Sequence, residues 1–183
     1  MKVSQTKLPG VLIFEPQVFG DDRGFFIETF NYIRYAEAGL DRKFLQDNHS
    51  RSSRSVLRGL HYQLNNPQGK LVSVVRGEIF DVAVDIRRGS PTFAQWVGAT
   101  LSEKDHRQLF VPEGFAHGFC VLSEIADVNY KCTNVFTPGD DFGILFSDET
   151  IGIDWPIKNP ILSPKDSKNP LLSQQENLPV YSG

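Results

Sequence analysis

Short strand-like runs, many of them alternating apolar and polar residues and several closed by glycine or proline, constrain this chain more than any other feature. Val11 to Pro16, Phe25 to Phe30, Lys70 to Val75, Glu78 to Ile86 and Thr92 to Leu101 all read this way, as do Leu109 to Pro112, Ala116 to Leu122 and Asp127 to Thr133. A period of two is the signature of a half-buried strand. Fourteen phenylalanines and eleven prolines fit strands divided by turns. Only Asn31 to Ala38, stopped by Gly39, has helical character, and Ser102-Glu103-Lys104-Asp105 resembles a capping box opening one further turn. The expected class is all-β, a sandwich or closed barrel with a few short helices. Lys70–Val75 and Glu78–Ile86 are expected to form a hairpin about Arg76-Gly77. No repeat or linker divides the sequence, so residues 1–183 are expected to form one domain. The polar, proline-rich stretch after Pro156 is expected to wrap its outside.

The formal net charge is −3, so no global basic field points to nucleic acid, and an anionic ligand must be met by local cations. No apolar run approaches the ~20 residues that span a membrane. The start, Met1 to Lys7, has no apolar secretory core. Cys120 and Cys132 then read as reduced core residues of a cytoplasmic protein.

Chemistry concentrates in Val56 to Gln63 and, after a turn, Gly69 to Val72. His61 shares a strand face with Leu57, Gly59 and Gln63, an unusual place for an imidazole. A lone strand histidine is commonly bonded and idle. Here Arg58 and Lys70 lie close by, which suggests a base working beside an anionic substrate. Strict alternation sends Arg58 to the face opposite His61. Serving one pocket therefore requires a bulge at Gly59 or a strand that begins after Arg58. In a barrel, His61, Lys70, His117 and Tyr130 would converge at the mouth. Glu28 between Phe26 and Phe30 reads either as solvent-exposed or as a slot where a nucleobase stacks.

Pro112-Glu113-Gly114-Phe115-Ala116-His117 resembles the second half-motif of the cupins, yet His61-Tyr62-Gln63 supplies one histidine of the pair that the first half-motif needs. Two ligands of four make a poor metal site, so no metal is expected. Neither a nucleophile elbow nor a phosphate-binding glycine loop occurs, and no cofactor is called for. A histidine base, a lysine to hold charge developing on oxygen and a tyrosine acid suffice for enolisation beside a ketone.

Phe19-Gly20-Asp21-Asp22-Arg23-Gly24-Phe25-Phe26-Ile27-Glu28, Gln46-Asp47-Asn48-His49-Ser50, Val56 to Gln63, Phe80 to Arg87, Pro112 to Phe119 and Tyr130-Lys131 strongly resemble the dTDP-4-dehydrorhamnose 3,5-epimerase family. The likeness runs from Pro9 to Asn169 and includes Ile151 to Pro156 and Ser163 to Asp166. It implies a cupin-type jelly roll without metal, acting on a dTDP-sugar and assembling as a homodimer. It further implies that His61 is the base at C3 and C5, that Lys70 holds the enolate oxygen and that Tyr130 returns a proton from the opposite face. Asp166 would orient His61, with Asp81 a rival on sequence alone. Arg23, Phe26 and Glu28 match a thymidine-binding segment that reaches across from a partner subunit. Gln46, Asp47, Asn48 and Arg58 match contacts to sugar and diphosphate, and His117 and Lys165 match further substrate contacts. Asp141 stands where the family commonly has glutamate. The readings that remain open are an epimerase of one carbon only or of another 4-keto sugar nucleotide, a silent sugar-nucleotide-binding cupin and a metal-dependent cupin oxygenase.

Overall fold

The structure, a computed structural model, describes residues 1–182. The alternating runs form β1 (Lys2–Gln5), β2 (Leu12–Glu15), β3 (Val18–Asp21), β4 (Gly24–Ile27), β5 (Gln46–Ser53), β6 (Leu57–Gln63) and β7 (Lys70–Arg76). These are followed by β8 (Glu78–Asp85), β9 (Trp96–Ser102), β10 (Gln108–Val111), β11 (Phe115–Val121), β12 (Ile125–Cys132) and β13 (Asp141–Gly143). One antiparallel sheet has the order β1-β2-β10-β7-β12-β5 and the other β13-β6-β11-β8-β9. They stack as a jelly-roll sandwich, and β3-β4 stands apart as a two-stranded hairpin. Val72, Val74, Leu109, Val111 and Val128 of the first sheet meet Ile79, Ala83, Leu101, Phe119 and Val121 of the second in the shared core.

The expected hairpin about Arg76-Gly77 does not form: β7 and β8 belong to different sheets. Gly77 is left-handed at φ +80°, and carries the chain across the sandwich. Paired with each other, both strands would forgo a neighbour. Apart, β7 bonds to β10 and β12 and β8 bonds to β9 and β11, so each has both edges satisfied. A tight turn between alternating runs looks the same in sequence either way.

The only α-helix among the described residues, α1 (Tyr32–Glu37), starts where the Asn31 side chain accepts the Arg34 N–H at 3.3 Å. It buries Tyr35 against Phe14, Leu40, Leu71 and Phe110. The Ser102–Asp105 pattern makes both reciprocal capping bonds at 3.3 Å, but His106 is left-handed and no helix follows. The strand expected from Thr92 starts at Trp96, because Thr92–Gln95 close a turn with Ala94 left-handed.

The apolar face of β8 points outward. Val82, Val84 and Ile86, with Leu60 and Tyr62 of β6, are covered by Leu172 and Leu178 of the C-terminal stretch. Each such leucine contributes about 2 kcal/mol by leaving water. The wrapping expected after Pro156 thus straps the second sheet, and the strap carries Asp166 to the site.

The bulge expected at Gly59 is present. Along β6 and β11, His61 pairs with His117 but Arg58 pairs with Phe119, so Gly59 and Leu60 oppose Gly118 alone. Gly59 has φ +120°, and a Cβ there would come within 2.6 Å of the Gly118 Cα and 2.7 Å of the His117 carbonyl oxygen. Only glycine fits, and the shifted register changes the aim of Arg58 relative to His61.

Candidate active site

A cavity of about 320 Å³ opens at one end of the sandwich, lined by Gln46, Asn48, His61, Gln68, Lys70, Tyr130, Phe136 and Asp141 among others. The two walls come from different sheets. His61 projects from β6, while Lys70 and Tyr130 project from β7 and β12. Topology therefore sets the imidazole on one wall and the ammonium and phenol on the other. A cleft of about 330 Å³ adjoins at His61 and is lined by Arg58, Ser163, Lys165 and Asp166.

His61 is held through Nε2, which lies 2.7 Å from Asp166 Oδ1. A carboxylate accepts only, so the proton sits on Nε2 and the Nδ1 lone pair is left for chemistry. Asp166 opens a short 3-10 turn, Asp166–Lys168, and its N–H donates to Ser163 Oγ at 3.0 Å. Burial pushes the Asp166 carboxyl up, but hydrogen bonds from His61, Ser163 and the Gly59 backbone outweigh it and leave the group below the usual carboxylate range. It stays anionic and orients the ring. Asp81, the rival, is bonded elsewhere: its Oδ1 lies 2.7 Å from His117 Nε2.

Lys70 sits between Val111 and Cys132 in register and has no ion-pair partner among the described residues. Burial lowers its pKa, with Cys132 and Asp81 opposing. An ammonium held at such a cost is a ready counter-ion for an oxygen that becomes negative during reaction. Tyr130 is flanked by Asn48 and Val72, and its hydroxyl makes no hydrogen bond among the described residues. Burial raises its pKa, the more so beside Cys132 and less beside Arg58, so the phenol keeps its proton at neutral pH.

Asn48 and Gln46 point inward from β5, linked by Gln46 Nε2 donating to Asn48 Oδ1 at 3.0 Å. Asp47, one residue over, points outward to Lys131 at 2.9 Å. Lys165 and Asp141 form an ion pair where the cleft meets the cavity. His117 is buried, directly across from His61 in register, and does not line the cavity. Arg23 and Phe26 lie on the exposed β3-β4 hairpin, where Arg23 pairs with Asp21 at 2.6 Å and Phe26 is 67% exposed. Glu28 faces Arg34 at 3.0 Å, outside the cavity. The hairpin residues do not join the cavity of their own chain.

Phe136 was not singled out by sequence. It is half exposed at the cavity mouth, fixed by its N–H donating to Gln46 Oε1 at 2.7 Å. An aromatic just before Thr137-Pro138-Gly139 marks a turn in sequence but does not point to a cavity. The cupin metal donors are not assembled. Each histidine gives its Nε2 to its own aspartate, and no three His, Cys, Asp or Glu side chains among the described residues gather as a metal site.

Fold and cavity together are those of a cupin-type protein with a histidine–aspartate pair at one wall and a phenol and an ammonium at the other, groups suited to moving protons. The dTDP-4-dehydrorhamnose 3,5-epimerase family model matches residues 5–174. The epimerase of that name from Shigella flexneri is 59% identical over 168 residues, covering 91% of this chain and 93% of its own. The crystal structure of the Legionella pneumophila dTDP-6-deoxy-D-glucose-3,5-epimerase with dTDP-4-keto-L-rhamnose superposes with a TM-score of 0.97 at 52% identity, covering 100% of this chain and 99% of the other. A more distant relative, the dTDP-4-dehydrorhamnose 3-epimerase of Streptomyces niveus, is 37% identical across 100% of this chain and 90% of its own. This chain belongs to the dTDP-4-dehydrorhamnose 3,5-epimerase family.

Proposed function

We propose that the chain inverts C3 and C5 of dTDP-4-dehydro-6-deoxy-D-glucose, giving dTDP-4-dehydro-L-rhamnose. The observation that carries this reading is the split of the proton carriers between opposing sheets. Hydrogens at C3 and C5 are acidic because the C4 carbonyl can take up the charge. His61 Nδ1 removes the proton, and Lys70 meets the enolate oxygen, which is more negative in the transition state than in the ketone. The enolate is planar, and inversion needs a proton returned to its other face. Tyr130, on the opposite wall, is the donor. Repeating the cycle at the second carbon completes the reaction, with no redox change and no cofactor in the balance.

Gln46, Asn48 and Asp141 are assigned to the sugar side of the site, with His117 acting only from behind the His61 strand, and Arg58 and Lys165 to the diphosphate, which demands cations that the acidic chain supplies only locally. Asp47, on the outward face of its strand, is assigned to the nucleotide side. Arg23, Phe26 and Glu28 are assigned to the base of a substrate bound by the partner in a homodimer. The support is that the hairpin's aromatic side chains stand exposed and away from their own cavity. Two buried free cysteines agree with a cytoplasmic setting. No helix among the described residues is long and apolar enough to cross a membrane.

Turnover of dTDP-4-keto-6-deoxyglucose in heavy water, followed by NMR, tests the reading. Deuterium is expected at both C3 and C5. Label confined to one carbon would make the chain a single-site epimerase, like the Streptomyces niveus relative. No label at either would leave a binding protein.

A further inference from the structure

We infer that Ser52 is a positioning residue whose buried hydroxyl aims Arg58 at the substrate's diphosphate. The inference rests on the diphosphate reading of the cleft beside His61.

Arg58 sits at the bulge of β6, in the five-stranded sheet, whereas Ser52 lies on β5, the edge strand of the six-stranded sheet. Their side chains meet across the rim of the sandwich, with Arg58 Nε donating to Ser52 Oγ at 3.0 Å. This is the one protein hydrogen bond of the guanidinium among the described residues, and neither Nη atom has a partner. Arg58 is exposed, while Ser52 is 7% exposed and backed by the core. One nitrogen of the fork is therefore spent on a fixed acceptor, and the two terminal nitrogens are left for a ligand.

The direction is set by what shares the cleft. Arg58 lines it with His61, Lys165 and Asp166. Lys165 is already paired with Asp141 and Lys131 with Asp47, and Lys70 lies in the adjoining cavity, so Arg58 is the cation lining this cleft whose charge no carboxylate takes up among the described residues. A free arginine on the surface samples many rotamers, and ordering it on binding costs affinity. Anchoring Nε removes most of that cost beforehand and presents the terminal nitrogens side by side, the geometry that matches two phosphate oxygens. Gly59 contributes by shifting the register that brings Arg58 to the rim.

The test is binding of dTDP and of thymidine, by calorimetry, with steady-state kinetics on the full sugar nucleotide. Ser52→Ala is expected to weaken dTDP and raise KM by roughly tenfold, the worth of a hydrogen bond to a charged group, with kcat changed less than about twofold. Thymidine, which lacks the diphosphate, should bind as before. Ser52→Cys keeps the volume but offers a weak acceptor, and should weaken dTDP to a similar extent. In an Arg58→Ala background the Ser52→Ala change should add nothing. Unchanged dTDP affinity in both Ser52 variants, or an equal loss with Arg58 absent, would overturn the inference. If Arg58→Ala itself leaves the preference for dTDP over thymidine intact, it is the diphosphate reading of the cleft that fails.

Discussion

Two histidine–aspartate pairs lie side by side in this sandwich, and they differ in every respect except their bond length. His61 and His117 face each other across β6 and β11, each 2.7 Å from its carboxylate. The His61 side chain is 37% exposed and its partner arrives on the C-terminal strap. The His117 side chain is 8% exposed and its partner stands on the next strand, β8. The first pair opens on the cavity with Nδ1 free. The second is sealed, and Asp81 Oδ2 has no partner at all. The same two residue types thus give an accessible imidazole, the proposed base, in one place and a tie between strands in the other. Access, not composition, separates them.

Exchanging the roles is the strongest way to break that contrast. His61→Ala is expected to lower turnover by about 10³-fold, as loss of a general base does, with a smaller loss of stability than in the sealed pair because Asp166 keeps its Ser163 and Gly59 hydrogen bonds. His117→Ala should do the reverse in its main effect. It strands the Asp81 carboxylate in the core, and a broken buried pair costs about 3 kcal/mol or more, read in chemical denaturation. If both variants lose activity without losing stability, the contrast is wrong.

The carboxylates sharpen it further. Asp166→Asn keeps the shape but removes the charge that fixes the tautomer of His61, and kcat should fall about 10²-fold with KM little changed. Asp81→Asn should be seen mostly as lost stability.

Asp85, which touches neither histidine, sets the baseline. Burial pushes its carboxyl up, but Arg87, Ser90 and Thr92 outweigh that and hold it at about 2. A folded pKa below the unfolded one stabilises at neutral pH. The contribution, about 2 kcal/mol, is present above pH ~4 and is lost as pH falls through ~2. Acid titration of Asp85→Asn should show that part of the pH dependence missing. An unchanged acid limb would contradict the assignment.

Much of this was legible in the chain. Period-two runs fixed the class, and parity between Arg58 and His61 called for either a bulge at Gly59 or a strand that begins after Arg58; the strand begins at Leu57 and the bulge is the one that occurs. Of the four residues expected to converge, His61, Lys70 and Tyr130 line the cavity, while His117 is buried behind it. What local pattern could not carry was which strands become neighbours. A tight turn at Arg76-Gly77 reads as a hairpin, yet it crosses between sheets, where β7 finds β10 and β12 and β8 finds β9 and β11. For the same reason sequence left Asp81 and Asp166 as rivals for His61: the distance from His61 to Asp166 along the chain is bridged only by the strap, whose anchors Leu172 and Leu178 dock on the outer face of β8. Phe136 escaped because nothing in a lone exposed aromatic tells that a cavity lies beneath it.

The most direct test follows hydrogen exchange at C3 and C5 of dTDP-4-keto-6-deoxyglucose in heavy water, by NMR, with His61→Asn beside the wild type and dTDP affinity measured in both. The account predicts deuterium at both carbons with wild type, essentially none with His61→Asn, and equal dTDP binding. Exchange by His61→Asn at a rate near that of wild type would contradict it.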